Sequence, residues 1–240
     1  MTRAHRLLVT TIGAVIVCAI TSTAAFAAGF LGPGHSSTEF ADASASWFPD
    51  ANNPYFVDLT VSRSTFVFRP TENSGGTPII QRGTMLIIFV EGASFFGSDC
   101  FMIPDTDFVV STDVQSAALN ATVYANNRCQ GFGQSLQDIA AGKPGGGPPP
   151  VVGFQFPLTV TANWAGNGVT TTIISDGRLT CGGFGMEDHI MDTSARATAT
   201  GSVSMPGLAV TTSPTDQAGV DQGTVVSDTQ GVPPLSCFGI

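Results

Sequence analysis

Tyr55-Phe56-Val57-Asp58-Leu59-Thr60-Val61-Ser62 is the stretch that decides the fold class of this chain. Apolar and polar side chains alternate through it, and an extended backbone sends alternate side chains to opposite faces. The alternation therefore predicts a β-strand with one buried face and one solvated face. Aromatic and β-branched residues continue the strand to Arg69, and Pro70 ends it because proline cannot donate to a sheet ladder.

Further strand patterns follow along the chain, separated by turn residues. The run 84–91 is almost wholly apolar and predicts a central strand buried on both faces, while Ala165-Gly166-Asn167-Gly168 predicts a hairpin turn. The other predicted strands are 39–48, 108–112, 117–124, 151–164, 169–174, 195–204, 208–212 and 223–227. This density predicts an all-β fold of roughly 9–11 short strands, an antiparallel β-sandwich or a barrel. We favour the sandwich.

The first 27 residues have the pattern of a secretory signal peptide. Arg3 and Arg6 precede an apolar run, 7–20, and Ala25-Phe26-Ala27 fits a small-residue cleavage site. A retained membrane anchor is the alternative, but the run has 14 residues and a spanning helix needs about 20. We expect 1–27 to be a helical signal peptide cleaved after Ala27, and the mature chain to be secreted without membrane insertion.

The charge balance narrows the classes of partner. Loss of the leader's two arginines leaves seven basic against 18 acidic residues, a formal net charge of −11 for the mature chain. Nucleic acid is therefore an unsuitable partner, because phosphate binding rests on clustered lysine and arginine. Charged residues are only 11% of the chain, so the polar surface is mainly uncharged, which fits an extracellular sandwich better than a cytosolic enzyme.

Four cysteines remain in the mature chain: Cys100, Cys129, Cys181 and Cys237. In an oxidising compartment these thiols are expected to form disulfides. Four cysteines allow three pairings, and their spacing does not choose among them. A structural zinc site is not expected, because no C-x-x-C motif occurs and the two mature histidines lie far apart in sequence.

Four segments carry a family resemblance: VDLTV at 57–61, LNATV at 119–123, FPLTVTANWAGNG at 156–168 and RATATGSV at 196–203. Together they resemble a loose set of secreted actinobacterial β-rich proteins of uncharacterised function. In that set the L-x-A-T-V strand and the W-x-G-x-G strand follow one another closely. The resemblance implies neighbouring strands in one sheet, and it carries no catalytic residue to this chain.

The Gly/Pro-rich segment 142–150 has, on composition alone, the character of an interdomain linker. The resemblance favours a different interpretation, in which 126–150 is a loop inserted between neighbouring strands. Such a loop costs little, because closure entropy grows only logarithmically with length. We therefore expect a single β-sandwich domain over 28–240, with two domains as the alternative. Cys129 would then lie at the loop base and pair with Cys181 or Cys100.

Candidate sites for cofactor chemistry are few. Four aspartates fall close together around Pro104: Asp99, Asp105, Asp107 and Asp113. Calcium takes oxygen ligands of this kind, but their spacing is not that of an EF-hand and acidic loops are usually solvated. His189 has acidic neighbours, yet a polar loop is the simpler interpretation of 186–192. We expect no cofactor, with calcium as the one alternative.

Large amphipathic rings are scarce. Trp164, beside a predicted turn, and Trp47 are the candidates for a carbohydrate-stacking platform. Phenylalanine outnumbers tyrosine by 17 to 2, which favours core filling over sugar stacking.

The sequence thus favours a non-enzymatic secreted β-sandwich, an extracellular or envelope-associated binding or structural module with a glycan or protein partner. One alternative is a secreted hydrolase of the glycosidase kind, whose paired acids meet only in the folded chain. The other is a carbohydrate-binding module without catalysis. The sequence does not specify a ligand or an oligomeric state.

Intact-mass measurement of the secreted protein tests export and thiol oxidation together. We expect a chain that begins at Ala28 and is lighter than its reduced form by the mass of four hydrogens, because two disulfides form. A full-length chain with four free thiols would contradict the prediction of secretion.

Overall fold

The computed structural model describes residues 33–71, 76–93, 95–129 and 153–231. The predicted signal peptide with its cleavage site at Ala27, most of the predicted loop insertion, and Cys237 lie outside the described residues. Within the described ranges, no helix is long and apolar enough to cross a membrane.

Ten strands account for most of the described chain. They are β1 (Gly34–Trp47), β2 (Phe56–Pro70), β3 (Ile79–Gly92), β4 (Phe95–Ile103), β5 (Phe108–Val110), β6 (Ser116–Val123), β7 (Leu158–Cys181), β8 (Phe184–Met205), β9 (Leu208–Thr211) and β10 (Thr215–Gln230). The strands pair antiparallel in the order β4-β3-β2-β1-β10-β8-β7-β6-β5, and β9 pairs with the end of β8. The prediction of an antiparallel all-β fold is confirmed.

The longest strands differ from the short ones that the sequence predicts. The expected hairpin turn at 165–168 is wrong: β7 runs through it for 24 residues, with a register shift between Gly166 and Thr170. Gln115 explains the bulge, because its side-chain oxygen accepts the Gly168 N–H at 2.8 Å and its backbone oxygen accepts the Gly166 N–H at 2.7 Å. Gly168 adopts a φ of 81°, which glycine allows without strain.

The hairpin turn lies instead between β7 and β8. Gly182 and Gly183 connect the strands directly, with φ values of 57° and 85°. Positive φ at both central residues is the geometry of a two-residue type I′ turn, whose twist matches that of the paired strands. Beyond the bulge, the pairs run without a further shift from Thr170 with Ala195 to Cys181 with Phe184.

One face of the sheet forms a common hydrophobic core. The alternating stretch 55–62 places Val57, Leu59 and Val61 in this core, as predicted. Other strands contribute in the same way, including Leu86, Ile88, Leu119, Leu158, Val160 and Ala199. The expectation that 84–91 is buried on both faces is wrong, because buried residues of β3 alternate with half-buried ones. β3 lies second from the end of the strand order, so its outer face is only partly covered.

The two ends of the strand order contact each other. Arg63 of β2 donates to the backbone oxygen of Phe108 in β5 at 3.3 Å. Phe101 of β4 forms a β-bridge with Arg128, which follows β6. A disulfide joins Cys100 to Cys129 beside that bridge, with 5.3 Å between the Cα atoms. The sheet is therefore bent enough for its terminal strands to share one core.

The segments on either side of 130–152 are direct neighbours. β6 and β7 pair from Ser116 with Ala165 to Val123 with Leu158.

The sequence pattern does not predict β4, because Gly97 and Asp99 occupy core-facing positions where apolar residues would mark a strand.

Replacing Gly223 tests the packing of β10 between its neighbours. A Cβ atom at this position would collide with the backbone oxygen of Met191 and lie 2.7 Å from Phe40 Cζ. We expect Gly223→Ala to lower the free energy of unfolding by roughly 3 kcal/mol, since a backbone contact cannot yield.

Gly219→Ala on the same strand is the matched control, because its Cβ would meet Ala195 O at an ordinary 3.6 Å. Urea unfolding should show the control unchanged or slightly stabilised. Equal losses in both variants would contradict the β10 packing described here.

Candidate functional site

The aspartates predicted as calcium ligands do not come together. Asp99 is buried in β4, where its carboxylate accepts from Arg128 Nε at 2.7 Å. Asp105 lies in a one-turn 3-10 helix and is engaged by Thr84 Oγ1 and Arg82 Nε, each at 2.5 Å. Each of these two carboxylates thus forms an ion pair with an arginine.

The other two predicted ligands are held by local turns. Asp113 accepts from Ser111 Oγ at 2.6 Å and from the Gln115 N–H at 3.1 Å, and these bonds lower the pKa of its carboxyl. The carboxylate of Asp107 accepts from its neighbour Thr106 Oγ1 at 3.4 Å, and its backbone N–H donates to Pro104 O at 3.0 Å. Across the described residues, no group of three or more His, Cys, Asp or Glu side chains is placed to hold a metal ion.

The two tryptophans lie in the core. Trp47 is 3% exposed and donates its indole N–H to Ala199 O at 3.2 Å. Trp164 is 2% exposed and donates to Ser44 O at 2.9 Å. Because both rings are buried and both donors are satisfied, the carbohydrate-platform hypothesis does not fit these positions.

Phenylalanines just after β1 and on the outer face of β2–β4 form a separate aromatic row. Phe48, Phe56, Phe89 and Phe96 follow one another with ring centroids 5.2 to 5.8 Å apart. The ring planes of the first pair are tilted by 53°, and those of the next two pairs, at 64° and 90°, meet edge to face. Such a row is not a flat stacking surface for sugars.

A cluster of acidic residues lies on the sheet face opposite the main core. Asp42 of β1 is the direct cross-strand partner of Asp221 of β10. Asp192 of β8 lies on the same face, opposite Gly223 and two positions along from the partner of Asp221. Asp42 is 4% exposed, and one oxygen of Asp42 and one of Asp192 have no hydrogen-bond partner among the described residues.

Burial is the main cause of the shifted pKa values in this cluster. It raises the pKa of Asp42 to about 6, against an opposing hydrogen bond from Ser62 and with a smaller contribution from Asp192. Burial and then the charge of Asp42 raise the pKa of Asp221 to about 8. Burial also raises the pKa of Asp192. The Asp42–Asp221 pair therefore holds one proton near neutral pH.

An open cavity of about 440 Å³ adjoins this cluster. Its lining includes Asp221, Ser194, Arg196 and Asn167, but neither Asp42 nor Asp192. The cavity thus offers one acid with a raised pKa. The sequence gives no sign of the cluster, because its members lie on three strands far apart in the chain and Asp42 alternates with serines as a surface residue would.

The free edge of β7 is the second candidate site. β6 covers β7 only as far as Ala165, so from Thr170 to Thr180 β8 is the one strand of the described chain that pairs with β7. Apolar side chains on this stretch are exposed, with Val169 at 63%, Ile173 at 54% and Ile174 at 63%. Free N–H and C=O groups along such an edge are ready to pair with another strand.

The histidines also lie within strands. The polar loop expected at 186–192 is part of β8, and His189 Nδ1 lies 2.5 Å from Asp176 Oδ1 on β7. His35 is in β1, with its Nδ1 at 2.9 Å from Asp228 Oδ1.

Comparison with known proteins adds no relative: no protein-family description matches the chain, and no curated protein is similar to it.

Removing one acid of the buried pair tests the proton held there. Carboxyls with raised pKa values keep protons that the unfolded chain releases, so the stability they provide is complete below about pH 4 and is lost as the pH rises to about 8. We expect Asp42→Asn to flatten this fall and to stabilise the protein at pH 8 by roughly 3 kcal/mol, since one pKa unit is worth about 1.4 kcal/mol.

The measurement is urea unfolding across that pH range. Asp216→Asn, an exposed site on β10, serves as the control and should keep the slope of the unmodified protein. Parallel pH dependences for Asp42→Asn and the unmodified protein would show that the pair holds no such proton.

Proposed function

We propose that this chain is a secreted β-sandwich that acts outside the cell as a non-catalytic binding module, and that it binds an extended strand of its partner along the free edge of β7. The exposed, unpaired stretch of β7 carries the proposal. Strand addition to a sheet edge uses backbone hydrogen bonds for affinity and side chains for specificity.

The contacts between the ends of the strand order support a two-layer arrangement. β1–β4 would form one layer and β6–β8 the other, with the common core between them. The bond from Arg63 to Phe108 O joins strands that are distant in the sheet order, and the bond from Gln222 to Thr112 O joins β10 to the residues that follow β5. Trp164 of β7 reaches Ser44 of β1 in the same way.

Two observations support an extracellular location. The basic and apolar N-terminus has the pattern of a cleaved leader. The Cys100–Cys129 disulfide fits an oxidising compartment, and Cys181 is also disulfide-bonded. The disulfide ties Cys129, which follows β6, to Cys100 of β4, and a single domain would be consistent with this link.

The edge has the composition of a pairing strand. Between Val169 and Cys181, β7 carries four threonines, two isoleucines and a leucine, and no proline interrupts it. β-branched residues favour extended backbone, and proline or several lysines would be the usual protection against edge pairing. Arg178 is the single basic residue in this stretch.

The glycosidase alternative is less well supported. Paired-acid hydrolysis needs two carboxyls on opposite sides of the bond that breaks, with the substrate between them. Asp42 and Asp221 are instead direct neighbours across two strands, and only Asp221 lines the cavity. One accessible acid does not provide both roles.

Peptide binding tests the edge directly. We expect a labelled, lysine-capped peptide of alternating threonine and valine to bind the mature protein, measured by fluorescence anisotropy. Ile174→Lys should weaken this binding at least about tenfold, or 1.4 kcal/mol, because a charge on the exposed edge disfavours an added strand.

Ile80→Lys is the matched control, since Ile80 is as exposed as Ile174 but lies on β3 at the opposite side of the sheet. A peptide with a central proline should not bind. If the folded protein, at a concentration low enough to keep it monomeric, binds no extended peptide, or if both lysine variants bind equally well, the β7 edge is not the binding surface.

A further inference from the structure

The unpaired part of β7 is long and regular. From Thr170 to Thr180 it keeps a continuous register with β8, with no bulge to turn its outer edge away from a partner. β6 begins at Ser116, opposite Ala165, and the Gln115 contacts lie between that pair and this stretch of β7. A partner strand would therefore have up to 11 residues of edge without a bulge available, from Thr170 to Thr180.

Charges on one face of this edge form a defined pattern. Asp176 and Arg178 lie two positions apart on β7 and therefore point to the same face. Asp176 contacts His189 at 2.5 Å, and Arg178 contacts Glu187 at 3.4 Å, each across the β7–β8 pairing. All four side chains are well exposed, with 56% to 79% of their surface accessible.

This pattern is complementary to itself. If two copies of β7 pair antiparallel about a two-fold axis at Gly177, Asp176 of each copy lies opposite Arg178 of the other. The rows across the four strands then read His189, Asp176, Arg178, Glu187, with opposite charges at every step when the histidine is protonated. Opposite charges at directly paired positions stabilise a sheet, and like charges destabilise it.

Other registers lose this match. Centring the pairs on Asp176 puts two aspartates face to face, and centring them on Ile174 puts both charged residues opposite threonines. A parallel pairing places Asp176 opposite Asp176. Gly177 suits the axis position, because the two glycines that would face each other there have no side chains. The nearest atom to a Cβ built on Gly177 would be Asp188 Cβ, at 3.7 Å.

We propose that the partner strand is β7 of a second copy of this chain, paired antiparallel about Gly177 to give a symmetric dimer whose sheet continues from one copy to the other. This inference rests on the proposed function, since it uses the same edge, and it specifies the occupant. Each copy supplies the same patch, so the contact closes on itself as a two-fold interface and does not propagate into fibres.

Charge variants give a sharp test, because the two halves of the pattern can be separated. Asp176→Arg makes the edge carry two positive side chains, and Arg178→Asp makes it carry two negative ones. Each variant alone should be a monomer, or dimerise at least about tenfold more weakly than the unmodified protein. When the two are mixed, every cross-edge contact joins opposite charges, and a heterodimer should form.

The measurement is sedimentation velocity on the mature protein over a wide concentration range. Salt at about 0.15 M keeps the Debye length near 8 Å, which screens the net negative charge but not side chains in contact. Ile80→Lys on the opposite edge should dimerise like the unmodified protein. Circular dichroism should show unchanged strand content for all variants, since both altered side chains are exposed.

Three outcomes would overturn the inference: a monomeric unmodified protein, dimers that persist in both charge variants, or no heterodimer on mixing. The peptide experiment separates this result from the proposed function. If the protein stays monomeric but binds extended peptides in a manner sensitive to Ile174→Lys, the edge is a binding surface for another chain and only self-pairing is wrong. If neither occurs, both proposals fail.

Discussion

The antiparallel pairing of β7 with β8 is the interaction on which the rest of the structure depends. It runs from Thr159 with Ser204 to Cys181 with Phe184, interrupted only by the bulge. Its first part lies in the core beside β6, and its second part extends beyond β6 and creates the free edge. A single ladder therefore supports the packed part of the molecule and exposes the part that is available to a partner.

The bulge at Gly166–Thr170 marks the boundary between the part of β7 that pairs with β6 and the part that has a free edge. Gln115 satisfies the N–H groups of Gly166 and Gly168, so the backbone polar groups at the bulge remain paired. Past it, the sheet no longer has β6 as an outer strand. On the sheet face that carries Asp42, serines and threonines replace apolar residues in β1 and β10. Carboxyls meet on this face, and burying their charged forms costs free energy. That cost falls as the carboxyls take up protons.

Sequence reasoning recovers what short-range patterns determine. The alternation around Val57, Leu59 and Val61 gives β2 and its core face, and Pro70 marks its end. Sequence reasoning fails where a residue distant in the chain determines the local conformation. The Gly-Asn-Gly motif at 166–168 favours a turn by itself, but Gln115, more than 50 positions earlier, holds it as a bulge. The Asp42–Asp221 pair is invisible for the same reason. Strand order brings the two acids together, and each alone resembles an ordinary surface residue.

Amide hydrogen exchange, resolved by residue with NMR, tests most directly whether β7 is one strand with a free outer edge. In an antiparallel pair, successive residues direct their N–H groups alternately toward and away from the neighbouring strand. For the monomeric Arg178→Asp protein, the account predicts alternating slow and fast exchange from Thr170 to Thr180. Uniformly fast exchange would mean that this stretch is not paired with β8, and uniformly slow exchange would mean that its outer edge is already covered; either result would contradict the account.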